Sequence, residues 1–272
     1  VSTQLERSRK FKALHERAGA FIIPNPWDIG SARLLAGLGF EALATTSAGA
    51  ANALGLMDGE LHRQQVIDHC RLIASATDLP VNADLENCFA HDPKQAAETI
   101  RLAAQAGVVG GSIEDYSGDA AKPIYDFELA VDRVRAAVEM ANSLDVPFVL
   151  TARAENLLRG VNDLDDTIRR LQAFEEAGAH VLYAPGLTTL EQVRVVTRAV
   201  SKPVNVLGVM VRDATVAQLA EAGAKRISVG GALARAAVTT LIRTATLMRD
   251  QGSFAWTGDL ASGGEVTRLL KS

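Results

Sequence analysis

The sequence predicts a (β/α)8 (TIM) barrel with a C-terminal helical extension, and three observations carry that expectation. Eight short apolar runs recur along the chain, separated by longer amphipathic stretches. Several runs begin directly after a glycine of the kind that ends a helix. No Pro/Gly/Ser-rich linker or low-complexity segment divides the series, and 272 residues suit one barrel of about 250. The expected organisation is therefore one domain over residues 1–272, with a barrel core at about 20–250 and an extension at about 251–272. An open doubly wound sheet would more often have five to seven strands.

The runs are FIIPNPW (21–27), ALATTSAG (42–49), PVNADLE (80–86), VVGGSIED (108–115), PFVLTARAE (147–155), AHVLYAPG (179–186), PVNVLGVM (203–210) and RISVGGAL (226–233). The peptides LAGLGFEA, AQAGVVG, EEAGAHV and AEAGAKR each put Gly where a helix C-cap needs positive φ. Helical spacing is read from Asp163 to Ala177 and from Asp213 to Ala222, each with an acidic residue at the start that suits the helix dipole. A helix from Ser8 to Ala18 precedes the first strand and is expected to plug the barrel base. The segment after Asp250 reads as an appendage whose short apolar helix packs on another subunit.

Composition narrows the function classes. Apolar residues make up 48% of the chain and charged residues 22%, which supports a large packed core. The net charge of −4 and the lack of a long basic run argue against a nucleic-acid groove or an anionic membrane surface as partner. A small molecule is expected instead. The cysteines are two, Cys70 and Cys88, and the first residues show neither a signal-peptide core nor a membrane span, so a cytoplasmic protein with free thiols is expected.

In such a barrel the reactive residues lie at the C-terminal strand ends and in the loops beyond them. That filter selects Asp28, Ser47, Gly49, Asp84, Glu86, Glu114, Asp115, Arg153, Glu155 and Asn205. Acids dominate. Asp84 and Glu114 follow neighbouring strands and can converge on one hard cation, Mg2+ with Mn2+ as the alternative, which keeps several waters. The competing reading is that these acids pair with Arg153 or cap helices. His15, His62, His69, His91 and His180 lack ligand-like spacing, which argues against zinc. No lysine lies inside an expected strand, which argues against imine chemistry. Lys122 reads as a solvated loop residue, with a mobile cation over the site as the alternative. The backbone around Ser47, Ala48 and Gly49 offers a carboxylate cradle or a simple tight turn. Gly230 and Gly231 offer a weaker phosphate site, and with it the rival of a barrel aldolase, isomerase or synthase.

The pieces PNPWDIGSARLLAGLGFEAL, TTSAGAANALGLMDG, VNADLENCF, GVVGGSIEDYSGD, FVLTARAE and PVNVL occur in an order that resembles the isocitrate lyase and phosphoenolpyruvate mutase superfamily, over about Phe21 to Met248. The resemblance implies that Ser47, Ala48 and Gly49 hold a substrate carboxylate. It also implies that Asp58 lies over the site, that Asp84 and Glu114 position Mg2+ partly through water, and that Arg153 and Asn205 complete an anion pocket. A homotetramer, or dimer of dimers exchanging a C-terminal helix, is implied as well.

Three departures stand out. Lyases of the superfamily carry a Lys-Arg-Cys-Gly-His loop after the fourth strand, and here that loop reads YSGDAAKPIYD. The family's Asp-Ala-Asp on the third strand begins here with Asn82, and Glu86 is a possible compensation. The sixth strand ends in Ala184, Pro185 and Gly186, where the lyases place Glu and the mutases His.

The leading expectation is a Mg2+-dependent carbon–carbon lyase of the 2-methylisocitrate lyase type, acting on a small 2-oxo or 2-hydroxy di- or tricarboxylic acid through a stabilised enolate or oxyanion. Oxaloacetate decarboxylation or phosphonopyruvate hydrolysis is the same-fold alternative, and a non-catalytic 2-oxo acid binder the third. Tyr116, Asp58, Glu155 and Lys122 are the candidate proton carriers.

Overall fold

The structure is a computed structural model and describes residues 2–271. Eight parallel strands form one sheet: β1 (Phe21–Ile23), β2 (Leu43–Ala44), β3 (Val81–Ala83), β4 (Gly110–Glu114), β5 (Val149–Arg153), β6 (Val181–Tyr183), β7 (Val204–Leu207) and β8 (Arg226–Ser228). Their order is β1-β8-β7-β6-β5-β4-β3-β2. The ends meet where the Ala44 N–H donates to the Pro24 carbonyl at 3.0 Å, so the sheet curls into a nearly closed barrel. Each expected run contains one strand. The second is shorter than its apolar pattern, because Thr46 caps a helix and turns the chain at Ser47.

The connecting helices form the outer ring. They are α1 (Gln4–Glu16), α2 (Ile29–Gly37), α3 (Ser47–Ala53), α4 (Arg63–Ala76), α5 (Pro93–Gln105), α6 (Phe127–Asn142), α7 (Leu164–Glu176), α8 (Leu190–Ala199), α9 (Val216–Glu221), α10 (Ala232–Gln251) and α11 (Gly263–Lys271). Asp28, Asp92, Asp163, Thr189 and Thr215 each accept the N3 amide of the helix they precede, which satisfies a donor the helix cannot pair itself. At the other ends Gly39, Gly107, Gly178 and Gly223 have φ between 89° and 99°, as the sequence requires for an immediate return to the sheet.

Two helix boundaries differ from expectation. The first helix begins at Gln4 because Thr3 and Glu6 form a capping box upstream of the apolar pattern. The ninth begins at Val216, since Asp213 adopts φ 62° and Thr215 caps with Gln218.

Helix α1 closes the barrel base as expected: Phe11 and Leu14 pack with Phe21, Ile23, Ala42, Ala44, Val109, Val149 and Val181. A second, larger core lies between the strands and the helical ring. Beyond Gly252 the chain turns back and α11 packs against α2 of the same chain, with Leu269 buried. Among the described residues no helix is long and apolar enough to cross a membrane.

Candidate active site

The C-terminal strand ends surround a cavity of about 160 Å³, lined by residues from all eight β-units. A roomier cavity of about 610 Å³ lies at the opposite end, beside Lys12, His15, Phe148, His180 and Lys202. It has none of the strand-end acids, and chemistry in this fold belongs at the C-terminal face, so the smaller cavity is the candidate site.

Arg153, the last residue of β5, is the hub of that face. Its Nη1 lies 3.2 Å from Asp84 Oδ1 and 2.9 Å from Glu114 Oε1, and its Nε donates to Glu155 Oε1 at 2.8 Å. Asp84 directly follows β3 and Glu114 ends β4, so the two carboxylates meet on a single guanidinium nitrogen because their strands are neighbours. The two acids do converge, and the group they converge on is Arg153, as the competing reading expects. Arg159 lies 3.5 Å from Glu114 and 3.4 Å from Glu155, with its guanidinium 3.6 Å from the centre of the Tyr116 ring. Although burial works against its charge, Glu114, Glu155 and Asp84 hold Arg153 well above the usual arginine range. Burial raises Glu114 above the usual carboxylate range, and Arg153 opposes that shift.

Asp84 is fixed on its other side. Its backbone N–H donates to Thr45 Oγ1 at 2.8 Å, and its Oδ2 accepts the Ser47 amide at 3.0 Å. Ser47 Oγ donates to Asp58 Oδ1 at 3.0 Å, which draws Asp58 over the cavity. Glu86 stands beside them in a left-handed conformation, φ 49°, with Oε1 buried and unpartnered. Burial, reinforced by Asp84 and Asp58, pushes its carboxyl up to about 7.

Of the expected site residues, Ser47, Ala48, Asp58, Asp84, Arg153 and Asn205 line the cavity. Glu114 lies behind Arg153, 5% exposed. Gly49 is packed rather than presented, because a Cβ there would meet Thr46 and Trp27 at 2.7 and 2.9 Å. The Ser47 and Gly49 amides already serve Asp84 and Thr46, which leaves the expected carboxylate cradle with little to offer. Tyr116 stacks under Arg159 outside the lining, and Lys122 pairs with Asp126 at 2.8 Å in solvent. The Gly230 amide donates to Asn25 Oδ1 at 2.9 Å, as does that of Val229 at 3.0 Å, so the phosphate site is filled by the protein's own side chain. Cys70 and Cys88 are free and buried, and burial pushes both thiols up to about 12. The five histidines fall in separate places: His69 on the Trp27 carbonyl, His91 on the Tyr125 hydroxyl, His62 at the start of α4, and His15 and His180 at the barrel base. Sequence reasoning passed over Arg159 and Arg226. The second stands at the head of an apolar run, where an arginine ordinarily marks a strand entering from solvent.

Five carboxylates, Asp58, Asp84, Glu86, Glu114 and Glu155, thus gather around two guanidiniums at this mouth. The excess negative charge, the oxygen-only donors and the orphaned Glu86 oxygen fit a hard divalent cation. Among the described residues no three His, Cys, Asp or Glu side chains are placed to hold a metal ion between them, so an ion held by Asp84 would complete its shell with water.

The class of protein that these observations define is a (β/α)8 barrel with an acid-rich mouth gathered on Arg153. A sequence profile described as phosphoenolpyruvate phosphomutase matches residues 11–249, and the chain belongs to that family, within the isocitrate lyase and phosphoenolpyruvate mutase superfamily. A crystal structure from Burkholderia cenocepacia J2315, provisionally described as a lyase/mutase, is 53% identical with a TM-score of 0.96, covering 99% of this chain and 97% of that one. An uncharacterised protein of Mycobacterium tuberculosis H37Rv is 31% identical over 81% of each chain. The 2-methylisocitrate lyase of Escherichia coli K12 is 34% identical over 61% of this chain and 57% of its own length, so the match spans less than two thirds of that enzyme.

Proposed function

We propose that the chain is a Mg2+-dependent lyase that breaks a carbon–carbon bond next to the carbonyl or carbinol carbon of a small 2-oxo or 2-hydroxy di- or tricarboxylic acid. The observation that carries this reading is the meeting of Asp84 and Glu114 on one nitrogen of Arg153, beside a cavity of about 160 Å³. That volume lies below the roughly 300–1,000 Å³ of drug-sized ligand sites and suits an acid of a few carbons. When bound, Mg2+ supplies charge stabilisation for the oxygen that becomes negative as the bond breaks. Asp84, on the cavity wall, would hold the ion with water, Glu114 would support it from behind Arg153, and Arg153 keeps a positive charge beside it. Of the four groups considered as proton carriers, Asp58 is the one that lines the cavity, where its bond from Ser47 Oγ orients it towards a ligand hydroxyl.

One observation favours decarboxylation of an oxaloacetate-like acid as the second reading. Both thiols are buried, and the loop after β4 offers no cysteine to protonate a departing enolate. Loss of carbon dioxide requires no base to take a hydroxyl proton, and the small pyruvate enolate it leaves can take its proton from water, so it makes fewer demands on this site. The deciding experiment incubates the Mg2+-loaded protein with methylisocitrate, isocitrate, dimethylmalate, oxaloacetate and phosphonopyruvate and identifies products. Pyruvate or glyoxylate together with succinate, or with propionate from dimethylmalate, supports lyase action, whereas carbon dioxide with pyruvate from oxaloacetate selects the second reading. Tight binding without turnover leaves a 2-oxo acid binder. A homotetramer belongs to the same proposal, supported by exposed Val238, Leu241, Ile242 and Met248 along α10, and light scattering at micromolar concentration reads it directly.

A further inference from the structure

Beneath the acids, the cavity floor carries a positive charge to which the proposed chemistry assigns no task. Arg226, the first residue of β8, lines the cavity and is 3% exposed. Its Nε donates to Asn205 Oδ1 at 2.8 Å and its Nη2 to Thr151 Oγ1 at 2.9 Å, while Nη1 is buried without a partner. Both partners are neutral oxygens, so these bonds aim the guanidinium without neutralising it. Asn205 is itself held, donating to Ser228 Oγ at 3.0 Å, which makes the arrangement rigid before any ligand arrives. Burial pushes the Arg226 side chain down to about 9, and the like charge of Arg153 adds to that shift.

A buried guanidinium lacking a counter-charge typically carries a desolvation penalty of several kcal/mol, and the planar fork of arginine is matched to carboxylates. The two arginines of the cavity differ in this respect. Three acids balance the charge of Arg153, whereas Arg226 has only neutral partners and a buried Nη1 with none. The same lining contains Asn82 Oδ1, buried and equally without a partner. The floor therefore has a buried donor and a buried acceptor for which the chain supplies no hydrogen-bond partner.

We infer that Arg226 is a specificity residue whose Nη1 takes the far carboxylate of a dicarboxylic ligand, with the 2-oxo or 2-hydroxy acid end lying against Asp84 and Ser47. The inference rests on the reading of this cavity as a 2-oxo acid site. A monocarboxylate bound at the acid end leaves Arg226 uncompensated, so the floor selects for a second negative charge.

The test is calorimetric titration of the Mg2+-loaded protein with three small acids, at a temperature and time at which product analysis shows no malate turnover. Oxalate engages the acid end alone; malate and 2-hydroxybutanoate share a four-carbon skeleton and differ in whether the far end is carboxylate or methyl. Wild type is expected to prefer malate by at least ~10-fold, the scale of one charge-assisted hydrogen bond. Arg226→Gln should erase that preference by weakening malate while leaving oxalate within about twofold, and Arg226→Lys should restore part of it. Equal weakening of oxalate and malate in Arg226→Gln would reduce Arg226 to a structural role and overturn the inference. So would a wild type that does not distinguish malate from 2-hydroxybutanoate, a comparison that stands even if Arg226→Gln fails to fold. If wild type does not bind oxalate with Mg2+, it is the 2-oxo acid reading itself that fails.

Discussion

At the base of the barrel, Phe11 and Leu14 of α1 sit among Phe21, Ile23, Val109, Val149 and Val181, and the imidazole of His15 packs edge-on to two phenyl rings at 4.7 and 5.1 Å. At the mouth, one strand length away, five carboxylates crowd two arginines around an open cavity, and two of their oxygens, Glu86 Oε1 and Glu155 Oε2, are buried without a hydrogen-bond partner. The same eight strands thus end in opposite environments. The base gains from every apolar contact it makes, while the mouth holds like charges together against their repulsion. Such an arrangement is stable only because the rest of the fold secures it, and unfavourable charge retained in this way belongs to binding rather than to folding.

The contrast breaks first at Phe11. It is fully buried at the plug, so Phe11→Ala removes an aromatic ring from a closed core and is expected to lower unfolding free energy by about 3–5 kcal/mol. Chemical denaturation measures the loss, and oxalate affinity of the folded fraction should stay within twofold. A variant that loses binding in proportion to stability would show that the two ends are not independent.

Asp84 gives the complementary result. Asp84→Asn keeps an oxygen to accept the Ser47 amide but removes one charge from the cluster that includes Glu86 and Glu114. We expect Mg2+-dependent oxalate binding to fall by more than ~100-fold, about 2.7 kcal/mol, with apo stability unchanged or raised. Calorimetry with and without Mg2+, paired with thermal unfolding of the apo protein, reads both. Destabilisation comparable to that of Phe11→Ala would mean that Asp84 serves the fold.

The base and the mouth were not equally legible in the sequence. Strand positions could be read because Gly39, Gly107, Gly178 and Gly223 each announce the next strand through a backbone requirement local to a few residues. Asp84, Glu114 and Arg153 could be picked out because fold class and strand end together define a position, with no distance needed. What escaped notice depends on contacts far apart in the chain. Glu86, Cys88 and Phe89 all take positive φ without glycine, and nothing nearby in sequence signals it. The turn is held by buried Arg133 of α6, which donates to the carbonyls of Asn87, Ala90 and His91. Arg226 was hidden for a related reason, since a three-residue strand in a barrel does not reveal which of its side chains enters the interior.

The smallest of these effects sharpens the comparison through pH. Burial against Phe11 and Phe21, with the positive charges of Arg226 and Lys225 nearby, pushes His15 down to about 3 from 6.5. Between those values the unfolded chain binds a proton at this imidazole and the folded chain does not. The stability linked to His15 is therefore fully present above pH 6.5 and is lost as pH falls towards 3, at about 1.4 kcal/mol per pH unit where the difference is a whole proton. His15→Phe keeps a ring between Phe11 and Phe21 and removes the titration. Relative to wild type at pH 7.5, the variant should gain roughly 2 kcal/mol by pH 5, seen in urea unfolding across that range. Parallel curves for the two proteins would show that His15 reaches solvent and protonates in the folded state, which would make the base of the barrel far less closed than the packing of α1 implies.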